Sequence, residues 1–302
     1  MTDSSRTYVG VAAPAIHLNA LDKVNRPSQD PYFDEAWEDM AQQLGGALEQ
    51  TLFTHAALIL KADAIVARKI VPAMDFLLEH GFVPVAFSPF VFTRNMVRAL
   101  WQDQPFLAKR DVAILVDLFL PSTASLFVLV RKSCPDGDAV GDLRNFKGPT
   151  KVGSRLPWHL RERLQAPYAL LNFVHSADHI SDFVREFGIF FSHWDRVRIL
   201  RTTLRGLNMA PEINEFARRL YAVHPEHDLR VESSLQRIMH SNAATDISHS
   251  STHRKIRSCC ADLLSGESQD WRRLLALLQD GAVETNLWDQ VTVGIGTLDR
   301  LD

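Results

Sequence analysis

Ala169-Leu170-Leu171-Asn172-Phe173-Val174-His175-Ser176-Ala177-Asp178 decides how the middle of this chain folds. An apolar run of strand length meets Asn, Ser and Asp, and beyond them the apolar spacing changes to that of a helix. The pattern predicts a strand over 169–175, with Asn172 and His175 near its end. Asp178 is expected to cap a helix running to Phe191, with Ile180, Phe183, Val184 and Phe187 inward. The exposed N–H groups and dipole of a helix start favour an anion, so His175 stands where a phosphate would bind.

Working outward, Ala57–Leu60 reads as a buried strand, Lys69–His80 as a helix that Gly81 stops, and Phe82–Phe92 as a second strand. Thr93 caps a short helix to Trp101. Val112–Leu120 and Leu126–Arg131 read as paired strands turning at Pro121–Ser125. The order of elements suits an α+β domain, a ferredoxin-like βαββαβ antiparallel sheet covered by helices. Before it, Phe33, Trp37, Met40, Leu44, Leu48 and Leu52 recur at helical spacing, predicting one amphipathic helix over Tyr32–Thr54 behind an irregular arm over 1–30. After Ser192 the apolar spacing is helical, from Leu200, Leu204 and Leu207 to Leu274, Leu275 and Leu278, with a polar loop at Ser241–Ser251. The expected division is an N-terminal arm and helix over 1–55, the α+β domain over 56–191 and an appended helical region over 192–302.

A chain of 302 residues that is 46% hydrophobic can bury a sizeable core, and a net charge of -3 gives no global attraction to polyanions. Three cysteines, Cys134, Cys259 and Cys260, make no disulfide framework and fit a reducing, cytoplasmic compartment. The N-terminus lacks the basic-then-apolar order of a secretory signal. The most apolar region, Val112–Val130, is interrupted by Asp117, Pro121, Ser122 and Thr123, so no membrane span is expected. Arg196, Arg198, Arg201 and Arg205 alternate with leucines and read as a solvated helix face, not a strong nucleic-acid signal. His249 and His253 have a ligand-like spacing near Cys259 and Cys260, but nothing completes a tetrahedral set.

Asn172-Phe173-Val174-His175-Ser176-Ala177-Asp178 resembles the active-site signature of the nucleoside diphosphate kinases, Asn-x-x-His-Gly-Ser-Asp, matching at Asn172, His175 and Asp178 plus an apolar pair. The resemblance spans about residues 56–191. Lys61 and Asp63 match the family's first-strand motif, in which Lys is followed by Pro-Asp-Gly. Arg161, Thr150 and Arg144 fall at the spacing of its phosphate-binding residues, and Glu186 at that of the acid holding the catalytic histidine. Trp101 and Phe106 lie in the neighbourhood of the family's base site.

The resemblance implies a phosphotransferase that moves the γ-phosphate of a nucleoside triphosphate through a phosphohistidine at His175 to a nucleoside diphosphate or related acceptor. It implies Mg²⁺ on the phosphates, Lys61 and Asn172 at the ribose, and a homo-oligomer. The chemistry fits these residue types: Lys61, Arg144 and Arg161 bring charge, Thr150 a hydroxyl, and an imidazole a nucleophile that divides transfer into two half-reactions. The sequence departs from the family at Ala62, Ala64, Ser176 and Ala177. The last removes the hydroxyl that links acid to imidazole, and Pro121–Asp142 is longer. These departures keep open a second reading, a nucleotide-binding regulatory module with reduced or no turnover.

Overall fold

The structure, a computed structural model, describes residues 30–241, 251–280 and 283–300. His55–Leu60 is buried at every position and forms β1, an inner strand with apolar side chains on both faces. Two strands pair with it antiparallel. β3 (Ser125–Arg131) lies opposite from His55↔Arg131 to Leu60↔Leu126, and β4 (Val174–His175) lies opposite at Ile59↔His175 and Leu60↔Val174. β2 (Val83–Phe90) pairs with β3, and the order is β2-β3-β1-β4. This is the ferredoxin-like arrangement expected from the sequence, with two helices inserted between its second and third strands.

Those helices are α5 (Arg94–Leu100) and α6 (Arg110–Phe119), numbered after α1 (Pro31–Leu44), α2 (Leu48–Thr54), α3 (Ala62–Val66) and α4 (Ile70–Glu79). Thr93 caps α5 as expected, its hydroxyl accepting from Met96 N at 3.2 Å. The expected strand over Val112–Leu120 is instead α6. Val112, Leu115, Val116 and Phe119 are its buried residues, a three-and-four spacing hidden within a short apolar run. The single helix expected over Tyr32–Thr54 is two, separated at Gly45, whose φ of 51° an ordinary residue rarely adopts.

The strand expected over 169–175 is shortened to Val174–His175 for a local reason. Phe173 has a φ of 68°, and Val174 N–H donates back to the Asn172 carbonyl at 2.8 Å, closing a γ-turn that no strand accommodates. α7 (Ala139–Lys147) and α8 (Leu160–Arg163) precede this turn, and α9 (Ile180–Phe190) follows it. Asp178 does not cap α9. His179 is the N-cap and gives no side-chain hydrogen bond, while Asp178 sits 3.5 Å from Lys147 Nζ.

The rest is helical as expected: α10 (His193–Thr203), α11 (Ala210–Val223), α12 (Val231–Ser241), α13 (Ser251–Ser265), α14 (Trp271–Asp280) and α15 (Leu287–Asp299). Most of the expected arm over 1–30 and of the loop at Ser241–Ser251, with His249, lies outside the described residues. α10 and α11 lie along β2, with Met209 N donating to the Pro84 carbonyl at 2.8 Å and Phe87 against Phe216. Arg196 is not part of a solvated face. It is buried and donates to Asp39 Oδ2 and the Phe191 carbonyl, each at 2.6 Å, so it ties α10 to α1 and to the end of α9. Leu204 and Leu207, read as continuing the helical spacing, lie beyond the end of α10 and are exposed.

α15 packs closely on α6 because Gly294 has no side chain: a Cβ there would come within 2.6 Å of Leu115 Cδ2. The buried Asp289 ties the same helix to the segment around α12, His227 Nε2 and Arg237 Nε each lying 2.8 Å from its Oδ1. Among the described residues no helix is long and apolar enough to cross a membrane, and no group of three or more His, Cys, Asp or Glu could hold a metal ion.

Candidate functional site

His175 ends β4 beside β1, so the sheet fixes its backbone while its ring reaches into the space between α5, α7 and α9. Its Nε2 lies 2.9 Å from Oε1 of Glu186 on α9. The contact is direct and needs no hydroxyl at 177, where Ala177 is buried. A carboxylate accepts only, so Nε2 carries the hydrogen and the Nδ1 lone pair is left for other chemistry. The Trp101 ring meets the imidazole edge to face, 5.7 Å between centroids.

A cleft of about 1270 Å³ opens at His175, and a pocket of about 270 Å³ adjoins it. Trp101, Arg144, Thr150, Arg161 and Glu186 line the cleft, while Lys61 and Asn172 line the pocket. These seven residues and His175 therefore border the cleft or the pocket beside it, whereas Asp63 lines neither. Trp101, Thr150, Arg161 and His175 belong to both parts.

How the cations are held differs from the simple expectation of open phosphate ligands. Arg161 is buried, its Nη1 donating to the Gly148 carbonyl at 2.6 Å and its Nη2 to the Val174 carbonyl at 2.9 Å. Arg144 Nη1 donates to the Asp178 carbonyl at 3.2 Å. Lys61 Nζ donates to the Leu170 carbonyl at 2.8 Å and pairs with Asp63 at 3.6 Å. Asp63 in turn accepts from Phe173 N at 2.8 Å, and the Phe173 carbonyl accepts from Lys61 N at 2.9 Å. The Lys61 and Asp63 motif thus clamps the γ-turn that aims Asn172 and His175.

Sequence reasoning passed over Lys147, which lines the cleft from α7. It is buried, and its Nζ donates to the Ser176 carbonyl at 2.7 Å, next to the histidine. Its position between Arg144 and Thr150 was the available signal. Arg155 and His159 were also missed. Arg155 donates to the Thr150 carbonyl at 2.6 Å, and the His159 ring lies over Gly148, where a Cβ would overlap it. Gly148 has a φ of 77°, so the loop reaching Thr150 depends on glycine twice.

Burial lowers Lys147 to about 8, with the charge of Arg161 adding to it, and lowers Arg161 to about 9, with Arg155 adding to that. Burial also lowers Lys61 to about 8 and pushes the Asp63 carboxyl up. Cations that are buried and repel one another form a positive field that an anion would relieve. On α9, burial raises the Asp182 carboxyl, and its neighbours Glu186 and Asp178 raise it further. The cleft is thus mixed in charge, with Asp178, Asp182 and Glu186 lining it beside Arg144, Lys147, Arg161 and Arg185. The anion preference of the α9 start is offset by its own first turn.

No family model and no curated protein matches the chain. Among solved structures it is similar to the nucleoside diphosphate kinase of Aquifex aeolicus, with 20% identity, coverage of 46% of this chain and 95% of that one, and a TM-score of 0.39. It is also similar to that of Encephalitozoon cuniculi, with 18% identity, coverage of 48% and 99%, and a TM-score of 0.37.

Proposed function

We propose that this protein is a phosphotransferase of the nucleoside diphosphate kinase type, in which His175 Nδ1 accepts the γ-phosphoryl group of a nucleoside triphosphate. The observation that carries this reading is the 2.9 Å contact between Glu186 and His175 Nε2 in a cleft that Arg144, Lys147 and Arg161 also line, which leaves Nδ1 as the nucleophilic nitrogen.

In the first half-reaction the Nδ1 lone pair forms a bond to the γ-phosphorus. The bond from that phosphorus to the bridging oxygen breaks, and the diphosphate leaves with the electron pair. The Nε2 proton stays between imidazole and Glu186, so the carboxylate balances the charge that develops on the ring. In the second half-reaction a terminal phosphate oxygen of an acceptor diphosphate attacks the phosphorus and the P–N bond breaks. Arg144, Lys147 and Arg161 supply the field for the transferring group, Thr150 a hydroxyl, and Lys61 and Asn172 border the space for the sugar. Mg²⁺ belongs to the substrate in this reading, arriving on the triphosphate. Residues 56–191 carry the chemistry, within a homo-oligomer.

A nucleotide-binding module with reduced turnover is the competing reading. It is favoured by one feature, the engagement of Lys61 and Arg161 by main-chain carbonyls. Incubation with γ-labelled ATP or GTP and Mg²⁺ separates the two. Acid-labile, base-stable label on the wild type, absent from His175→Ala and discharged by added diphosphates, is the expected result. Nucleotide binding without label overturns the kinase reading in favour of the module.

A further inference from the structure

The pocket of about 270 Å³ beside the cleft has one wall from outside the α+β sheet. Val116 and Phe119 of α6 face Ile295 and Leu298 of α15 across it, and it shares Arg161 and His175 with the cleft. Two of its lining residues carry buried polar atoms that have no hydrogen-bond partner, Asn172 Oδ1 and Arg161 Nε. Those residues are only 7% and 5% exposed. Apolar walls with a few unmatched polar atoms are what a flat heteroaromatic ligand with polar edges requires.

Asp299, at the end of α15, also lines this pocket. Its Oδ1 accepts from Ala169 N at 3.1 Å, which fixes the carboxylate just ahead of the γ-turn and leaves Oδ2 and the second lone pair of Oδ1 to a ligand. On the phosphotransferase reading above, we propose that the pocket takes the nucleoside end of the substrate and that Asp299 selects guanine over adenine. Guanine presents two adjacent donors, N1–H and the 2-amino group, to the two oxygens of a carboxylate. Adenine presents one amino donor beside the N1 lone pair, which a carboxylate repels. The appended helix thereby sets the base preference of a site whose phosphate chemistry lies in the sheet domain.

The test is calorimetric titration of the full chain with GDP, IDP and ADP, IDP lacking only the 2-amino group. GDP is expected to bind about 10- to 100-fold more tightly than ADP, the range for a hydrogen bond to a charged group, with IDP between them. Asp299→Asn keeps an oxygen for Ala169 N–H and should remove most of that ratio. Leu298→Trp, with its fold checked by circular dichroism, should weaken all three by filling the pocket. Equal wild-type affinities, a ratio that survives Asp299→Asn, or unchanged binding by folded Leu298→Trp would each overturn the proposal. Phosphate label on His175 with equal affinities overturns it alone, whereas absence of all nucleotide binding overturns the phosphotransferase reading as well.

Discussion

Asp63→Ala removes a side chain that is fully buried and does two jobs. The carboxylate accepts from Phe173 N at 2.8 Å and sits 3.6 Å from Lys61 Nζ. Alanine leaves the Phe173 N–H without its partner, a loss of about 1–3 kcal/mol. It also leaves Lys61 buried without a counter-charge, and breaking one side of such a pair destabilises by about 3–5 kcal/mol. The two effects overlap, because Lys61 can relieve its share by releasing its proton, and it keeps the Leu170 carbonyl. A total of about 3–5 kcal/mol is therefore expected. The positive φ of Phe173 raises the stakes, since a strained backbone of about 1–3 kcal/mol persists only while its surroundings hold it. Urea denaturation should show a lower midpoint at an unchanged slope. Asp63→Asn, which keeps an acceptor, should lose less. In a double-mutant cycle, Lys61→Met should recover part of the Asp63→Ala loss. A midpoint shift worth less than about 1 kcal/mol, or strict additivity with Lys61→Met, would refute the clamp.

Three further outcomes follow from the same geometry. Glu186→Gln keeps an oxygen near His175 Nε2 but loses its charge, so the initial rate of His175 labelling should fall by roughly 10-fold, the difference between a charged and a neutral hydrogen bond; an unchanged rate would remove Glu186 from the mechanism. Burial lowers His55 to about 4 from 6.5, so the unfolded chain binds more protons between those values and stability should fall as pH drops from about 7 to 4. The loss approaches about 3 kcal/mol, and thermal melts of His55→Gln should lack this component. Lys147 and Lys61 are both lowered to about 8, so at pH 8 the binding of an anionic nucleotide should draw protons onto them. Calorimetry in buffers of different ionisation enthalpy should detect that uptake; net proton release would contradict it.

The parts of the fold that sequence reveals are those set by local pattern. β1 is legible because Ala57–Leu60 is an unbroken apolar run, which the structure extends back to His55, and α5 because Thr93 caps it. Val112–Leu120 is misread because a short apolar run fits a buried strand and a buried helix equally, and only packing against α15 separates them. β4 is truncated by a γ-turn whose stability comes from Asp63, 110 residues away, so no local rule finds it. Arg196 has the same difficulty in reverse: it stands among arginines that read as solvated, and its burial depends on Asp39 of α1.

At the site, His175, Glu186 and the phosphate-side residues are picked out through the resemblance, and all of them line the cleft or the adjoining pocket. Their state is not legible in the sequence. That Lys61 and Arg161 are held by carbonyls, that Lys147 donates to the Ser176 carbonyl next to the histidine, and that α15 walls the pocket are all tertiary facts. The missing hydroxyl at Ala177 shows the same limit, since the sequence implies a broken link where Glu186 reaches the ring directly.

The most direct test of the central claim is to identify which nitrogen of His175 carries phosphate after incubation with excess ATP or GTP and Mg²⁺, by phosphorus-31 and proton correlation NMR on the labelled protein. With Nε2 committed to Glu186, the phosphate should be on Nδ1 of His175. Phosphate on Nε2, or on another residue with His175 unmodified, would contradict the account.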